Sequence, residues 1–279
     1  NATLYYTVID DAHRPHQIWR HRRGNDPAQD VLVHEEADPM FFVSVRRTRS
    51  EAYILITCFS GTTGEAYIVA ADRPEASPQL LVARRHGVEI TLEHQADRLL
   101  LLTNAGAHNF RLLSAPIDTL PAPQWTEVIP HRDDVMLEGV EGFAGHFVVT
   151  QRRAGLREII IHAADGSTRA VAFPDTAYNT YVDESPEYSA GVMRIVYSSL
   201  ARPETTADID LATGAWTIRK VDQLPGGHEP DRYVVERIEA RAVDGAQVPI
   251  SLIYPRGGLR PGGLPTLLIG YGAYGSNIE

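Results

Sequence analysis

Hydrolytic chemistry asks first for an activated nucleophile, and the sequence holds one near-match to the turn that presents a serine. That elbow reads Gly-x-Ser-x-Gly, because a strained strand-to-helix turn needs small neighbours. Glu187-Tyr188-Ser189-Ala190-Gly191 lacks the first glycine and lies between strand-like runs, so Ser189 reads as a loop residue. His13, His16 and His21 cluster near the beginning and could hold zinc if they converged. Arg14, Arg20, Arg22 and Arg23 crowd the same stretch and would repel a cation, so a solvated hairpin is expected. His34-Glu35 and His228-Glu229 each lack the second histidine of a zincin motif. Asp133, Asp134, Glu138, Glu141, Asp183, Glu184 and Glu187 supply carboxylates in quantity, and each reads as a solvated loop group. Gly257-Gly258 and Gly262-Gly263 precede no Gly-Lys-Ser/Thr and no helix, so no phosphate loop is present. No metal and no cofactor is expected. The informative segment is Gly270-Tyr271-Gly272-Ala273-Tyr274-Gly275. Its glycines let a substrate approach the backbone, and a phenol O–H can donate to a developing oxyanion. By composition alone, a surface turn carrying two tyrosines is the plainer reading.

The elements that must position these groups are strands. Short runs rich in Val, Ile, Leu, Tyr and Thr alternate with Gly, Pro, Asp and Asn, and few stretches keep a helical period. The strands repeat in fours at roughly 46 residues. Phe41–Val45, Tyr53–Phe59, Ala66–Ala70 and Gln79–Ala83 form one quartet. Ile90–His94, Arg98–Asn104, Phe110–Ala115 and Trp125–Ile129 form the next. Val135–Val140, His146–Gln151, Glu158–His162 and Thr168–Phe173 form a third, and Tyr181–Glu184, Met193–Ser198, Asp208–Leu211 and Trp216–Val221 a fourth. Leu4–Ile9, Gln17–Arg20 and Val31–His34 precede them as a quartet without its first strand. Ala163-Ala164-Asp165-Gly166 and Asp210-Leu211-Ala212-Thr213-Gly214 punctuate successive quartets at the same place. Repeated four-stranded units of this length predict a mainly β fold, a partial β-propeller of about four to five blades over residues 1–222; a sandwich with accidental spacing is the rival.

After Asp222 the character changes. Leu224–Pro230 reads as a linker, and Tyr233–Ala242 with Gln247–Tyr254 as a long hairpin turning at Asp244-Gly245. Pro255–Pro265 reads as an exposed loop and Leu264–Gly270 as a buried apolar strand. A lone apolar strand ending in a glycine-rich turn is how many α/β domains open, so residues 223–279 are expected to begin a second domain.

Composition narrows the function. The 279 residues carry 26 Lys+Arg against 36 Asp+Glu, a net charge of −10. That balance argues against a phosphate-tracking nucleic-acid partner. No apolar run approaches the ~20 residues of a membrane span, and the 43% hydrophobic content excludes a disordered chain. Cys58 is the single cysteine, which excludes an internal disulfide and a cysteine-based zinc site and fits a cytoplasmic location. Asn1-Ala2-Thr3 fits a glycosylation sequon of the kind that arises by chance. The missing initiator Met and the abrupt end at Glu279 lead us to expect a piece of a longer polypeptide.

Further segments carry a resemblance. They are His13-Arg14-Pro15, Gln17-Ile18-Trp19-Arg20-His21, Thr103-Asn104 with Asn109-Phe110-Arg111-Leu112, and Ile129-Pro130-His131-Arg132-Asp133-Asp134-Val135. Val196–Leu200, Asp210–Gly214, Val248–Tyr254 and Gly270–Gly275 follow in order. With them the chain resembles, almost end to end, the prolyl oligopeptidase family of serine peptidases, and within it the oligopeptidase B branch. The resemblance implies a seven-bladed propeller that restricts access to short peptides, followed by the first β-strands of an α/β-hydrolase domain. It implies a Ser-Asp-His triad after Glu279, two further blades and an extension upstream, and the rest of the same polypeptide as partner. Tyr271 would serve the oxyanion hole, and Tyr274 would border the substrate pocket. Cleavage after Lys or Arg through an acyl-enzyme is the implied reaction, while these 279 residues alone would be inactive. Prolyl specificity, or a non-catalytic propeller that binds proteins, are the competing readings; Gly-His and Trp-Asp propeller signatures do not recur.

Overall fold

The computed structural model describes residues 2–120, 122–183, 185 and 187–272. Among them the secondary structure is almost wholly antiparallel β, with three single-turn 3-10 helices at Pro27–Gln29, Ile117–Thr119 and Pro230–Arg232. Among the described residues no helix is long and apolar enough to cross a membrane.

Among the described residues, six sheets follow one another along the chain. The first is β1 (Thr3–Ile9), β2 (Pro15–Arg22) and β3 (Val31–Glu35), in that order. Four-stranded meanders come next. They are β4 (Phe42–Arg47), β5 (Tyr53–Phe59), β6 (Gly64–Ala70), β7 (Gln79–Val82), and then β8 (Ile90–Gln95), β9 (Arg98–Thr103), β10 (Arg111–Pro116), β11 (Thr126–Ile129). The next two are β12 (Val135–Gly142), β13 (His146–Arg153), β14 (Leu156–Ala163), β15 (Thr168–Ala170), and β16 (Tyr178–Val182), β17 (Val192–Ser199), β18 (Thr205–Asp210), β19 (Trp216–Val221). A hairpin of β20 (Tyr233–Arg241) and β21 (Gln247–Pro255) ends the series. These sheets are the expected quartets, including the opening group of three.

Turn chemistry explains the hairpins. Gly245 adopts φ 91°, Asp244 accepts the Ala246 N–H at 3.0 Å, and the strands close across Ala242 and Ala246. Asp210 Oδ1 accepts from the amides of Ala212 and Thr213, and Gly214 at φ 74° completes that reversal. Both are turns in which a side chain substitutes for a backbone acceptor and glycine takes the left-handed position.

The chain divides into two compact units, Asn1–Asp133 with Gly139–Phe147 and Pro186–Ser189, and Asp134–Glu138 with Val148–Ser185 and Ala190–Glu279. Within the first unit, period-2 alternation sends side chains of one strand to two cores. On β5, Tyr53 and Leu55 join Ile68, Leu92, Leu99 and Leu101, whereas Ile56 and Cys58 join Ile18, Phe41 and Val43. Consecutive sheets therefore pack face to face. Leu99–Leu102 form an unbroken apolar run because both faces of β9 are covered. The approach of backbones is close enough that a Cβ on Gly142 would stand 2.6 Å from the His94 carbonyl oxygen. In the second unit, Ile159, Met193, Ile195 and Ile209 are fully buried, and Phe173 stacks on Tyr178 with ring centroids 4.2 Å apart.

Two expectations need correction. The first strand of the fourth quartet is Tyr178–Val182 rather than Tyr181–Glu184, because register with β17 pairs Tyr178 with Ser199 and outweighs the weak strand propensity of Asn179; Glu184 itself lies outside the described residues. Leu264–Gly270 is neither strand nor buried: residues 258–272 carry no ladder beyond isolated turns, and Leu267, Leu268 and Ile269 are exposed. A strand exists only through the neighbour it bonds to, and no described strand offers this run an edge.

Candidate functional site

Tyr271 follows that uncovered run and is itself exposed. Tyr274 lies outside the described residues. The other sequence candidates are scattered. Ser189 sits in an exposed turn beside Tyr188, whose hydroxyl accepts the Ala96 N–H at 2.6 Å. His13 occupies the β1–β2 turn, and His21 Nδ1 is 2.6 Å from Asp30 Oδ1, so the three N-terminal histidines do not converge. Of the carboxylates, Glu138 is held by Arg152 at 2.6 Å and Arg157 at 2.8 Å, and Glu141 by Arg49.

Within the second unit a cleft of about 670 Å³ opens beside β18 and β19. Its walls include Pro174, Tyr197, Trp216, Ile218, Leu224 and His228. Trp216 stands edge-on to Tyr197 at 5.6 Å, and its indole N–H donates to the Ala172 carbonyl at 3.1 Å. The Tyr197 hydroxyl donates to Asp175 at 2.5 Å, and Arg202 reaches the same carboxylate at 3.1 Å. Burial, aided by that carboxylate, raises the Tyr197 phenol far above its ordinary range, so it remains a neutral donor. The cleft can accept an apolar segment against an ion-paired rim, but it holds no nucleophile with a base in reach.

A second group is buried where the first two sheets meet. Cys58 Sγ lies 3.1 Å from His34 Nε2, beside Glu36, Glu65 and Arg84. A thiol and an imidazole in contact suggest a nucleophile, but the electrostatics oppose it. Burial and the two carboxylates push the thiol up to about 12, and burial holds the His34 imidazole low. The pair is therefore neutral rather than thiolate and imidazolium, and Cys58 is fully buried. Sequence reading gave no sign of this group, because residues 34 and 58 meet only through the stacking of separate sheets. His108, His131 and Asp133, also brought together by the fold, were likewise joined by no motif.

Comparison with known proteins supplies what the geometry lacks. The family model for the prolyl oligopeptidase, N-terminal beta-propeller domain, matches residues 1–222. Protease 2 of Moraxella lacunata is 33% identical over 277 residues, covering 99% of this chain and 40% of its own. Dipeptidyl aminopeptidase BI of Pseudoxanthomonas mexicana is 34% identical over 99% of this chain and 38% of its own. Oligopeptidase B from Trypanosoma brucei, solved in a closed form with covalently bound antipain, superposes with a TM-score of 0.86 at 29% identity, covering 100% of this chain and 41% of that one. The chain thus spans about two fifths of the length of the curated relatives it matches.

Proposed function

The chain belongs to the prolyl oligopeptidase family, and on that premise we propose that it is the propeller, with the start of the catalytic domain, of a cytoplasmic serine oligopeptidase that cleaves short peptides after Lys or Arg. The carrying observation is similarity to Protease 2 and to oligopeptidase B across 99–100% of the chain, well beyond the propeller match that stops at residue 222. In this reading the sheets of residues 1–222 are blades of a seven-bladed ring that excludes large substrates, and residues 223–279 open an α/β-hydrolase domain. The apolar Leu267-Leu268-Ile269 run supports this, since such a run suits a central strand covered on both faces.

Chemistry follows from the family mechanism. A serine activated by His and Asp, placed in the part of the polypeptide after residue 279, attacks the peptide carbonyl, and water hydrolyses the acyl-enzyme. Tyr271 donates its phenolic O–H to the tetrahedral oxyanion, and Tyr274 borders the substrate pocket. The flanking glycines keep the backbone free of side chains where the substrate approaches.

A second reading has its own support: a 34% identical relative is named a dipeptidyl aminopeptidase, so release of dipeptides from free N-termini is the alternative. One substrate panel on the complete enzyme separates the two. Blocked chromogenic peptides ending in Arg, Lys or Pro, unblocked dipeptides, and an unfolded protein are compared by kcat/KM. Preference for blocked Arg and Lys peptides, with the unfolded protein spared, is expected. Preference for unblocked dipeptides or for Pro would replace the specificity, and no hydrolysis at all would leave only a protein-binding propeller.

A further inference from the structure

Two loops of the third sheet bring together side chains that peptide hydrolysis leaves unused. His108 stands between β9 and β10, and His131 and Asp133 between β11 and β12. Because β10 pairs antiparallel with both β9 and β11, both loops emerge at the same end of the sheet. Asn109 fastens them: its Nδ2 donates to the carbonyls of Arg132 and Asp133 at 2.9 and 3.0 Å. A tight turn, with the Phe110 N–H donating to the Ala107 carbonyl at 2.7 Å, sets the direction of His108.

The two imidazoles stand edge-to-face with centroids 4.4 Å apart. Each Nε2 is 3.9 Å from Asp133 Oδ1, and one ligand atom from each of the three residues lies within 4.8 Å of the others. Moreover, His131 Nε2 is buried and has no hydrogen-bond partner among the described residues. A buried polar nitrogen without a protein donor or acceptor asks for an explanation.

We infer that His108, His131 and Asp133 form a binding site for a divalent cation of the zinc class, which clips the two loops together and leaves a fourth position open. Imidazole and carboxylate are ligands zinc accepts, at bond lengths that set tetrahedral ligands about 3.3 Å apart. The 3.9 Å separations close to that value by a small rotation of the exposed Asp133 side chain. Calcium and magnesium prefer sets of oxygen ligands and are disfavoured by the two nitrogens. Arg132 and Asp134 flank the ligands with opposite charges, and the chain as a whole is acidic. The other three-group cluster, His34, Glu36 and Cys58, does not compete, because the Arg84 guanidinium already holds Glu36 and Glu65 there.

Titration of the purified, chelator-treated protein with zinc sulfate, followed calorimetrically, tests the site. One equivalent should bind at neutral pH. Outer-sphere changes alone cost about 10–100-fold in metal affinity, so His108→Ala and Asp133→Asn should each weaken binding at least tenfold. Both side chains are largely exposed, which keeps the variants folded. His34→Ala should leave binding unchanged, and cobalt should give tetrahedral absorption without a thiolate charge-transfer band. Failure of the parent to take up zinc at about 100 μM, equal affinity in both variants, or a thiolate band from Cys58 would overturn the site.

Discussion

Two apolar runs of nearly the same chemistry meet opposite fates. Leu99, Leu100, Leu101 and Leu102 on β9 are 0–4% exposed, whereas Leu267, Leu268 and Ile269 are 82%, 81% and 68% exposed. The first run has β8 and β10 bonded on either side and a neighbouring sheet over the Leu99 and Leu101 face. The second has no described strand beside it. Hydrophobicity thus states a demand for cover, and the fold decides whether it is met. In the repeated sheets the inner strands find their cover in neighbouring strands and sheets, as Leu55, Leu92, Leu99 and Leu101 do in one shared core. The run before Tyr271 has no such cover among the described residues.

The strongest way to sharpen that contrast is Leu100→Ala. A fully buried leucine in a packed core should cost about 2–5 kcal/mol, read as a lower urea midpoint at unchanged slope. A loss under 1 kcal/mol would mean the β9 core is loosely packed. Next is Asp208→Asn on β18. The carboxylate is buried and held by Arg194 at 2.8 Å and Arg219 at 2.6 Å, with those arginines half exposed. The variant should lose about 1–3 kcal/mol at neutral pH. The hydrogen bond from Arg194, followed by that from Arg219, lowers the Asp208 pKa in the folded state against the opposing effect of burial. Its stabilisation is therefore complete above the unfolded carboxylate value of about 3.9 and is lost as pH falls through the lower folded value. Asp208→Asn should flatten the acid limb of the stability curve, and an unchanged limb would remove this pair from the account. Smallest of all, Leu268→Ser in the 279-residue chain should shift stability by less than about 0.5 kcal/mol, since an exposed side chain has little burial to lose. A loss comparable to that of Leu100→Ala would break the comparison.

The same contrast explains what the amino-acid order reveals. Period-2 alternation and Asp-Gly punctuation are local, so the quartets from Phe41 to Val221 and the hairpin at Asp244-Gly245 were legible. Strand limits set by pairing were less so, as the three-residue displacement at Tyr178–Val182 shows. The covering of Leu264–Gly270 was not legible at all, because an apolar run does not specify its neighbours. Side-chain groups joined across loops or sheets, such as His108 with His131 or His34 with Cys58, depend on register and stacking, which no short motif encodes. Tyr271 stands out by its glycine-flanked phenol, but its role as an oxyanion donor rests on the order of segments shared with a family and is left to the test below.

The central claim is that these blades serve a serine peptidase whose oxyanion is held in part by the phenol of Tyr271. Tyr271→Phe in the complete enzyme tests it, with kcat, KM and the thermal midpoint measured together on an Arg-ending peptide. Loss of one oxyanion donor should lower kcat about 10²–10³-fold while KM and the midpoint stay unchanged. A variant that turns over as fast as the parent would contradict the account.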